Sequence, residues 1–259
     1  FSSRRRHTRY ISVTGVQTCA LPICASPAEV AQHSDIVISL VSDRAQTDDI
    51  VFGNNGILDH LHAGAILAIG STLGPEPVQH IAQALAARKV EVLDIPISGG
   101  ILAAREGKLS LMAGGRVETL ARAQPVLGVF ANQITHTGDV GSGQAAKLAH
   151  QLVFGLNVMA LLEGLLLGAA GGVTPAAMKT VLKQGLANSS VLQVWHDLGP
   201  RWKGMLEATA PDAPLPNLRK DLHLVLEYAR ELGVELPLGS EASRVADAGI
   251  ATGHDDPAL

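Results

Sequence analysis

Residues 138–151, GDVGSGQAAKLAHQ, separate two parts of the chain that follow different patterns. Before Gly138, short apolar runs rich in β-branched residues alternate with segments of helical periodicity, which is typical of a mostly parallel sheet covered by helices on both faces. After Gly143, every segment has helical periodicity. The stretch therefore marks the passage from an α/β domain to an all-α domain.

The α/β part predicts helices and strands in alternation. Ser26 caps a first helix that has Pro27 at its first position and Glu29 in its first turn. The remaining elements of this part are helices over 56–64, 75–89 and 116–130 and strands over 35–41, 65–72, 90–98, 109–115 and 134–138. The all-α part predicts helices over roughly 144–170, 175–187, 190–208 and 216–232 and a shorter one after Ser240.

Composition excludes several classes of function. The 259 residues are 47% hydrophobic and 17% charged with a net charge of -4, which is typical of a globular protein. An aromatic content of 3% and the lack of a basic balance argue against nucleic acid. Cys19 and Cys24 are too few for a disulfide framework or a four-ligand zinc site. We therefore expect no metal, no nucleic-acid partner and a reducing, cytoplasmic setting.

The first 24 residues, FSSRRRHTRYISVTGVQTCALPIC, do not continue the pattern. Thr, Gln and Pro interrupt the apolar stretch after the basic head, so a secretion signal is not expected. The segment resembles translated sequencing-adapter DNA, and the alternative is a natural disordered basic arm. Residues 1–24 are therefore left out of the fold prediction.

The segment Leu152–Ala170 is long and apolar enough to span a membrane and carries one charge, Glu163. Its internal Asn157 and the lack of a companion span favour a buried helix shared between domains or subunits instead. Three small residues permit close helix packing: Gly155, Ala160 and Gly164. We expect a homo-oligomer, a dimer or tetramer, and no membrane partner.

Lys147 is the candidate for proton transfer. A P-loop requires Lys and then Ser or Thr directly after its second glycine, whereas Gln144 and Ala145 follow Gly143. Lys147 lies in the first turns of a predicted helix, where the helix dipole and apolar surroundings both disfavour its positive charge. A lysine brought toward neutrality can exchange a proton with a carbonyl oxygen. The alternative, a solvated helix lysine, is equally compatible with position alone.

Three further stretches carry candidate binding residues. Ser98, Gly99 and Gly100 follow the end of a predicted strand, where ligands bind in open parallel sheets and paired glycines let backbone N–H groups approach a carboxylate. An ordinary tight turn is the alternative. Another strand-end turn contains Ser71 and Thr72, and the pair Lys220-Asp221 opens a later helix.

Taken in order, these stretches resemble the β-hydroxyacid dehydrogenase family from about Ala25 to Leu259. The substrate signature D-x-P-[VI]-S-G-G-x-x-x-A-x-x-G is filled by Asp94, Pro96, Ser98, Gly99, Gly100, Ala104 and Gly107. The catalytic signature G-x-x-G-x-G-x-x-x-K is filled by Gly138, Gly141, Gly143 and Lys147. Ser71-Thr72 and Lys220-Asp221-Leu222 match two further motifs of the family.

The resemblance implies a fold, a cofactor and roles. It implies a partial Rossmann-like NAD(P)-binding domain over 25–140 and an all-α domain over 141–259. Lys147 would act as general acid/base on a short 3-hydroxy acid or its semialdehyde while hydride passes to or from NAD or NADP. The substrate would be held by Ser98, Gly99, Gly100 and Gln151, and the cofactor would be contacted by Leu40, Val41, Ser71, Thr72 and Lys220.

The chain departs from the family in two places. Gln151, preceded by His150, stands where the family usually has Asn one turn after the lysine, so we expect an altered substrate pocket; the role of His150 stays open. The sequence also has no G-x-G-x-x-G, the motif that places a pyrophosphate on a helix N-terminus. We therefore expect a chain truncated at its N-terminus that binds cofactor weakly and turns over little. A non-catalytic oligomerisation or ligand-sensing module on the same fold is the alternative.

Overall fold

The computed structural model describes residues 24–193 and 214–251 of the chain. The chain divides into two compact units, residues 1–147 and 148–259. The expectations for residues 1–23 and for most of the predicted helix 190–208 lie outside the described residues. Of that helix the structure describes residues 190–193, which are helical.

The first unit is built on a six-stranded sheet in which strand β5 lies between β3 and β4 on one side and β6 on the other. Pairs β1–β2, β2–β3 and β5–β6 are parallel, whereas β5 runs antiparallel to β3 and β4. The strands are β1 (Ile36–Ser39), β2 (Ile66–Ile69), β3 (Glu91–Asp94), β4 (Ile97–Ser98), β5 (Leu109–Gly114) and β6 (Ala131–Gly138). The mostly parallel sheet confirms the predicted α/β class.

Helices alternate with these strands and cover both faces of the sheet. They are α1 (Pro27–Gln32), α2 (Arg44–Phe52), α3 (Pro75–Ala86), α4 (Gly100–Arg105) and α5 (Val117–Leu127). Successive strand residues point to opposite faces. Leu67 and Ile69 therefore pack with α2 and α3, while Ile66 and Ala68 belong to the core under α5. Ser26 caps α1 by accepting from the N–H of Glu29, as predicted.

The predicted helix over 56–64 is wrong, because that segment forms turns and the helix lies earlier, at α2. Asp43 is the N-cap of α2 and accepts from the N–H of Gln46. Within 56–64, the Ile57 N–H donates back to the carbonyl of Ile50, so the segment folds against the end of α2. Gly64 has φ 84, which ends any helical path.

The predicted strand over 90–98 is also interrupted. It breaks at Ile95 and Pro96 into β3 and the short β4, which turns to pair with β5 in the antiparallel sense. Proline has no N–H to donate to a ladder. The Pro96 carbonyl nevertheless accepts from the N–H of Met112 in β5. The break places Ser98 on a different strand from Asp94.

The second unit contains helices and connecting turns but no strand among its described residues, as predicted. The helices are α6 (Ser142–Ala170), which begins in the first unit, α7 (Pro175–Gln184), α8 (Pro214–Glu231) and α9 (Pro237–Ala251). The last of these begins earlier than the short helix predicted after Ser240. Leu218 and Leu222 of α8 pack with Ala242 and Ala246 of α9.

The distal part of α6 is exposed within this chain. Leu166 is 71% exposed and Leu167 is 77% exposed. Among the described helices, α6 alone is long and apolar enough to cross a membrane, judged by length and composition, and only 11% of its most apolar window is buried. The predicted burial is therefore not found among the residues that the structure describes, and burial between subunits stays a prediction.

Candidate active site

The carboxyl ends of β1, β2 and β3 meet at one edge of the sheet because these strands are parallel. The Val41 N–H, just past β1, donates to Ser71 Oγ, just past β2, at 3.0 Å. Ser71 is buried, Thr72 is partly buried and Leu40 is 48% exposed. The structure thus brings together Leu40, Val41, Ser71 and Thr72, four of the residues that the sequence predicted on the cofactor side.

Lys147 lies in the second turn of α6 and is only 7% exposed. The reading of Lys147 as a solvated surface lysine is therefore wrong. Long charged side chains are rarely this buried unless they serve a specific interaction. A buried amine remains a candidate for proton transfer.

Asp94 joins the end of β3 to the start of α6. It is fully buried, and its Oδ1 and Oδ2 accept from the N–H groups of Gly141 and Gln144, each at 2.8 Å. Burial raises the pKa of the Asp94 carboxyl above its ordinary value, while the N–H donors of Gly141 and Gln144 oppose the rise. The carboxylate fills donors that a helix N-terminus otherwise leaves unpaired.

Gln144 joins the same helix to the turn after β2. Its Oε1 accepts from the N–H groups of Leu73 and Gly74 at 2.9 and 3.2 Å. Its Nε2 donates to the carbonyl of Ser71 at 2.9 Å, and the side chain is fully buried. Sequence reasoning gave no role to Gln144 and used Asp94 only as a signature position. The bare D-x-P and G-x-G-Q patterns carry no signal that these residues are linked.

The stretch Ser98-Gly99-Gly100 forms a tight turn between β4 and α4. Gly99 has φ 119 and Gly100 has φ 64, conformations that L side chains rarely adopt. Both glycines are exposed and Ser98 is partly buried. Ser98 ends β4 and Gly100 begins α4, and the backbone of both glycines is accessible to solvent.

In the helical unit, Gln151 is held on both sides. Gln151 Nε2 donates to Asp221 Oδ2, and His150 Nδ1 lies 2.9 Å from Gln151 Oε1. Lys220 Nζ lies 3.3 Å from Asp221 Oδ1. Gln151 and Asp221 are 8% and 7% exposed. The structure thus connects two residues that the sequence predicted separately, Gln151 and Lys220, through Asp221.

Comparison with known proteins now assigns the chain. A fold of this kind, with candidate residues at the carboxyl ends of parallel strands and a helical second unit, is typical of dinucleotide-dependent oxidoreductases. The model for the NAD binding domain of 6-phosphogluconate dehydrogenase matches residues 7–138. The model for the NAD-binding region of NADP-dependent 3-hydroxyisobutyrate dehydrogenase matches residues 141–258. The chain belongs to the β-hydroxyacid dehydrogenase family.

Individual relatives agree with this assignment. The chain is similar to 3-hydroxyisobutyrate dehydrogenase from Pseudomonas aeruginosa, with 32% identity over 84% of this chain and 74% of the relative. It is 33% identical to 2-hydroxy-3-oxopropionate reductase from Escherichia coli over 81% of this chain and 70% of the relative. The crystal structure of a 3-hydroxyisobutyrate dehydrogenase from Salmonella typhimurium superimposes with a TM-score of 0.76 at 29% identity, covering 88% of this chain and 78% of that one.

These matches confirm two predictions: the chain is an enzyme by family, and its cofactor is NAD or NADP. At the strand-end edge, Leu40 is exposed, its side chain lies against Gly70, and Ser71 is buried beside it. Ser39 Oγ, at the end of β1, is buried with no hydrogen-bond partner among the described residues. For the pyrophosphate, the sequence holds no G-x-G-x-x-G.

Proposed function

We propose that this chain transfers hydride between NAD(P) and a short 3-hydroxy carboxylate or its semialdehyde, with Lys147 as the general acid/base. The observation that carries the proposal is the burial of Lys147 on a helix whose start is tied to the strand-end edge by Asp94 and Gln144. An amine in that position is shielded from bulk water, and proton transfer by a positioned side chain contributes typically about 10²–10⁴-fold to rate.

The nicotinamide supplies the hydride acceptor or donor when it is bound. In the oxidation direction, the neutral Lys147 amine takes the proton from the substrate hydroxyl as the carbon–oxygen double bond forms. In the reverse direction, the Lys147 ammonium returns that proton to the carbonyl oxygen. The same atom, Lys147 Nζ, thus accepts the proton in the oxidation direction and donates it in the reverse direction.

Substrate binding is proposed for Ser98, Gly99 and Gly100 of the first unit and for Gln151 of the second. Ser98 would donate through its hydroxyl, and the exposed backbone of Gly99 and Gly100 can approach a carboxylate because neither residue has a Cβ. Gln151 would contribute an amide whose orientation is fixed by Asp221. The longer Gln side chain, in place of the Asn usual in the family, favours a pocket of different shape. Lys220 would contact the cofactor.

The catalytic proposal is tested with Lys147→Ala, using Lys108→Ala as the matched control because Lys108 is an exposed lysine of the same unit. Lys147→Ala should lower the turnover number by about 10²–10⁴-fold with 3-hydroxyisobutyrate or related acids. Its affinity for NADH or NADPH should stay within about twofold. Turnover retained by Lys147→Ala would refute the role of Lys147, and no turnover by the unmodified chain would refute catalysis by this chain.

We further propose that the chain binds the dinucleotide weakly, because the sequence lacks the glycine motif that supplies N–H donors to a pyrophosphate. Fluorescence titration with NADH and with NADPH measures this directly. Dissociation constants in the millimolar range would support the proposal. Micromolar binding of either form would contradict it and would also identify the preferred cofactor.

A homo-oligomer, a dimer or tetramer, is proposed from the exposed apolar residues on α6, since exposed apolar patches mark interaction surfaces.

The exposed apolar residues on α6 also favour the second candidate function, a non-catalytic oligomerisation or ligand-sensing module. An oligomer that shows no hydride transfer even at saturating cofactor would favour the module. A cytoplasmic location is part of the main proposal, since the two cysteines of the sequence are too few for a disulfide framework.

A further inference from the structure

The glycines before Lys147 serve the Asp94 carboxylate. Gly141 supplies one of the two N–H donors to Asp94, and it has φ 97, a conformation that favours glycine. A Cβ on Gly143 would lie 2.7 Å from Asp94 Oδ2 and would also clash with the Met112 carbonyl. A Cβ on Gly114 of β5 would collide with the other carboxylate oxygen. The backbone therefore closes around Asp94 only because three glycines surround it.

Gln144 uses both ends of its amide at once. Two backbone N–H groups donate to Oε1, and Nε2 donates to one carbonyl, all within the turn Ser71–Gly74. A buried amide is stabilised only when its donors and acceptors are paired. Ser71 in turn accepts from Val41 N–H after β1. One side chain thus links α6 to the turn on the proposed cofactor side.

Lys147 lies three residues after Gln144, on the same face of α6. A shift of Gln144 therefore moves Lys147 with it. Asp94 holds the backbone N–H of Gln144 itself. The carboxylate, the amide and the amine consequently lie along one short, rigid path from β3 into α6.

We propose that Asp94 and Gln144 are positioning residues: Asp94 fixes the helix turn that carries Lys147, and Gln144 fixes the turn Ser71–Gly74 to that helix. The amine and the cofactor-side turn then keep one relative position. The proposal rests on the proposed function for its catalytic meaning. Its physical content, the immobilisation of Lys147 by two side chains that hydrogen-bond to backbone groups, is testable without turnover.

The first measurement is the rate at which acetic anhydride acetylates Lys147, followed by peptide mass spectrometry with exposed Lys108 as internal reference. Asp94→Asn and Gln144→Leu should each raise the Lys147 rate relative to Lys108 by at least about fivefold, because the helix start is no longer held. Gln79→Leu is the matched control: Gln79 is an exposed glutamine that also bonds this loop, at the Val140 carbonyl. It should leave the ratio unchanged.

The second measurement separates positioning from general destabilisation. Amide hydrogen exchange at Leu73 and Gly74 should accelerate at least about tenfold in Gln144→Leu, and exchange at Gly141 should accelerate in Asp94→Asn. Leu127→Ala, a core change in α5, should lower stability without altering either local pattern or the labelling ratio. If Gln144→Leu does not fold, Gln144→Glu retains an oxygen acceptor for the Leu73 and Gly74 N–H groups and replaces the donor to Ser71 by a second oxygen.

The outcomes distinguish this inference from the proposed function. An unchanged Lys147 labelling ratio in both Asp94→Asn and Gln144→Leu would overturn the positioning role, whatever the activity. A raised ratio, together with a turnover number at least about tenfold lower where the chain turns over, supports it. The Lys147 labelling ratio could rise in Asp94→Asn and Gln144→Leu while the Lys147→Ala variant remains active. That result would support the immobilisation and refute only the catalytic assignment.

Discussion

The two ends of α6 reverse the usual distribution of polar and apolar residues. Near its start, polar side chains are buried: Gln144 is 0% exposed, Lys147 7% and Gln151 8%. Toward its end, Leu166 and Leu167 are 71% and 77% exposed. Most charged and amide side chains lie at the surface and most leucines lie inside. Both ends of α6 therefore depart from the usual distribution of polar and apolar side chains, and each end requires a separate physical cause.

At the start of the helix, the cost of burying polar groups is offset by hydrogen bonds. The Gln144 amide makes three, and Gln151 is bonded to Asp221. At the far end, no comparable compensation exists for an exposed leucine, whose hydration is unfavourable. The buried polar residues of α6 thus belong to the candidate active site. The exposed leucines lie where the described residues of this chain leave them largely uncovered.

The largest expected effect is a difference in protein stability between alanine substitutions at the two ends of α6. Leu148 is 2% exposed, and Leu148→Ala should lower the free energy of unfolding by about 2–5 kcal/mol. Leu166→Ala, the same substitution on the same helix, should change it by no more than about 0.5 kcal/mol. Urea unfolding at low protein concentration measures both. Equal losses would break the comparison, and a Leu166→Ala loss that grows with protein concentration would indicate burial between copies.

Local sequence signals predicted much of the fold. The cap of Ser26 and the proline at the start of α1 were sufficient for that helix, and apolar runs located β1, β2 and β5. The helix over 56–64 was mispredicted because Ile57 and Leu61 have helical spacing, while the real start signal, the Asp43 cap of α2, was overlooked. The break at Pro96 and the antiparallel pairing of β4 and β5 depend on contacts that no local pattern reveals.

The candidate site shows the same limit. Motif resemblance picked out Lys147, Ser71 and Gln151, but it did not reveal Asp94 or Gln144 as links. The bonds of these two residues join positions that are 47 to 73 residues apart in the chain. Hydrogen bonds of this separation arise only after the sheet and α6 have folded together. Sequence pattern can therefore identify a reacting residue more readily than the residues that hold it in place.

The next effect concerns association through the exposed end of α6. Leu167→Glu should raise the dissociation constant of the proposed oligomer at least about tenfold, which corresponds to about 1.4 kcal/mol, because a carboxylate would be desolvated in the contact. Leu232→Glu is the matched control, since Leu232 is 58% exposed but follows α8. Light scattering across a dilution series measures the mass. A monomeric wild-type chain, or equal effects of both variants, would contradict an interface on α6.

The smallest expected effect tests Asp94 through pH. Burial raises the pKa of the folded Asp94 carboxyl above its ordinary value of 3.8, so the folded state binds the proton more readily than the unfolded state. The stability contributed by Asp94 is therefore fully present below pH 3.8 and declines as pH rises through the folded pKa. The amide side chain introduced by Asp94→Asn does not titrate. The unfolding free energy of wild type relative to Asp94→Asn should therefore fall as pH rises through the folded pKa of Asp94, and then stay constant.

The pKa of Glu118 is shifted in the opposite direction from that of Asp94. The backbone N–H of Glu118 and the nearby Arg116 guanidinium lower the pKa of this exposed carboxyl. Its contribution is present above the ordinary pKa and is lost as pH falls, so the advantage of wild type over Glu118→Gln should grow with rising pH. The stability difference between wild type and Asp94→Asn could instead grow with pH, as it does for Glu118→Gln. That result would mean that the N–H donors of Gly141 and Gln144 outweigh desolvation at Asp94. The Asp94 carboxylate would then be a net stabilising anchor for α6 at neutral pH, rather than a buried charge tolerated for the position of Lys147.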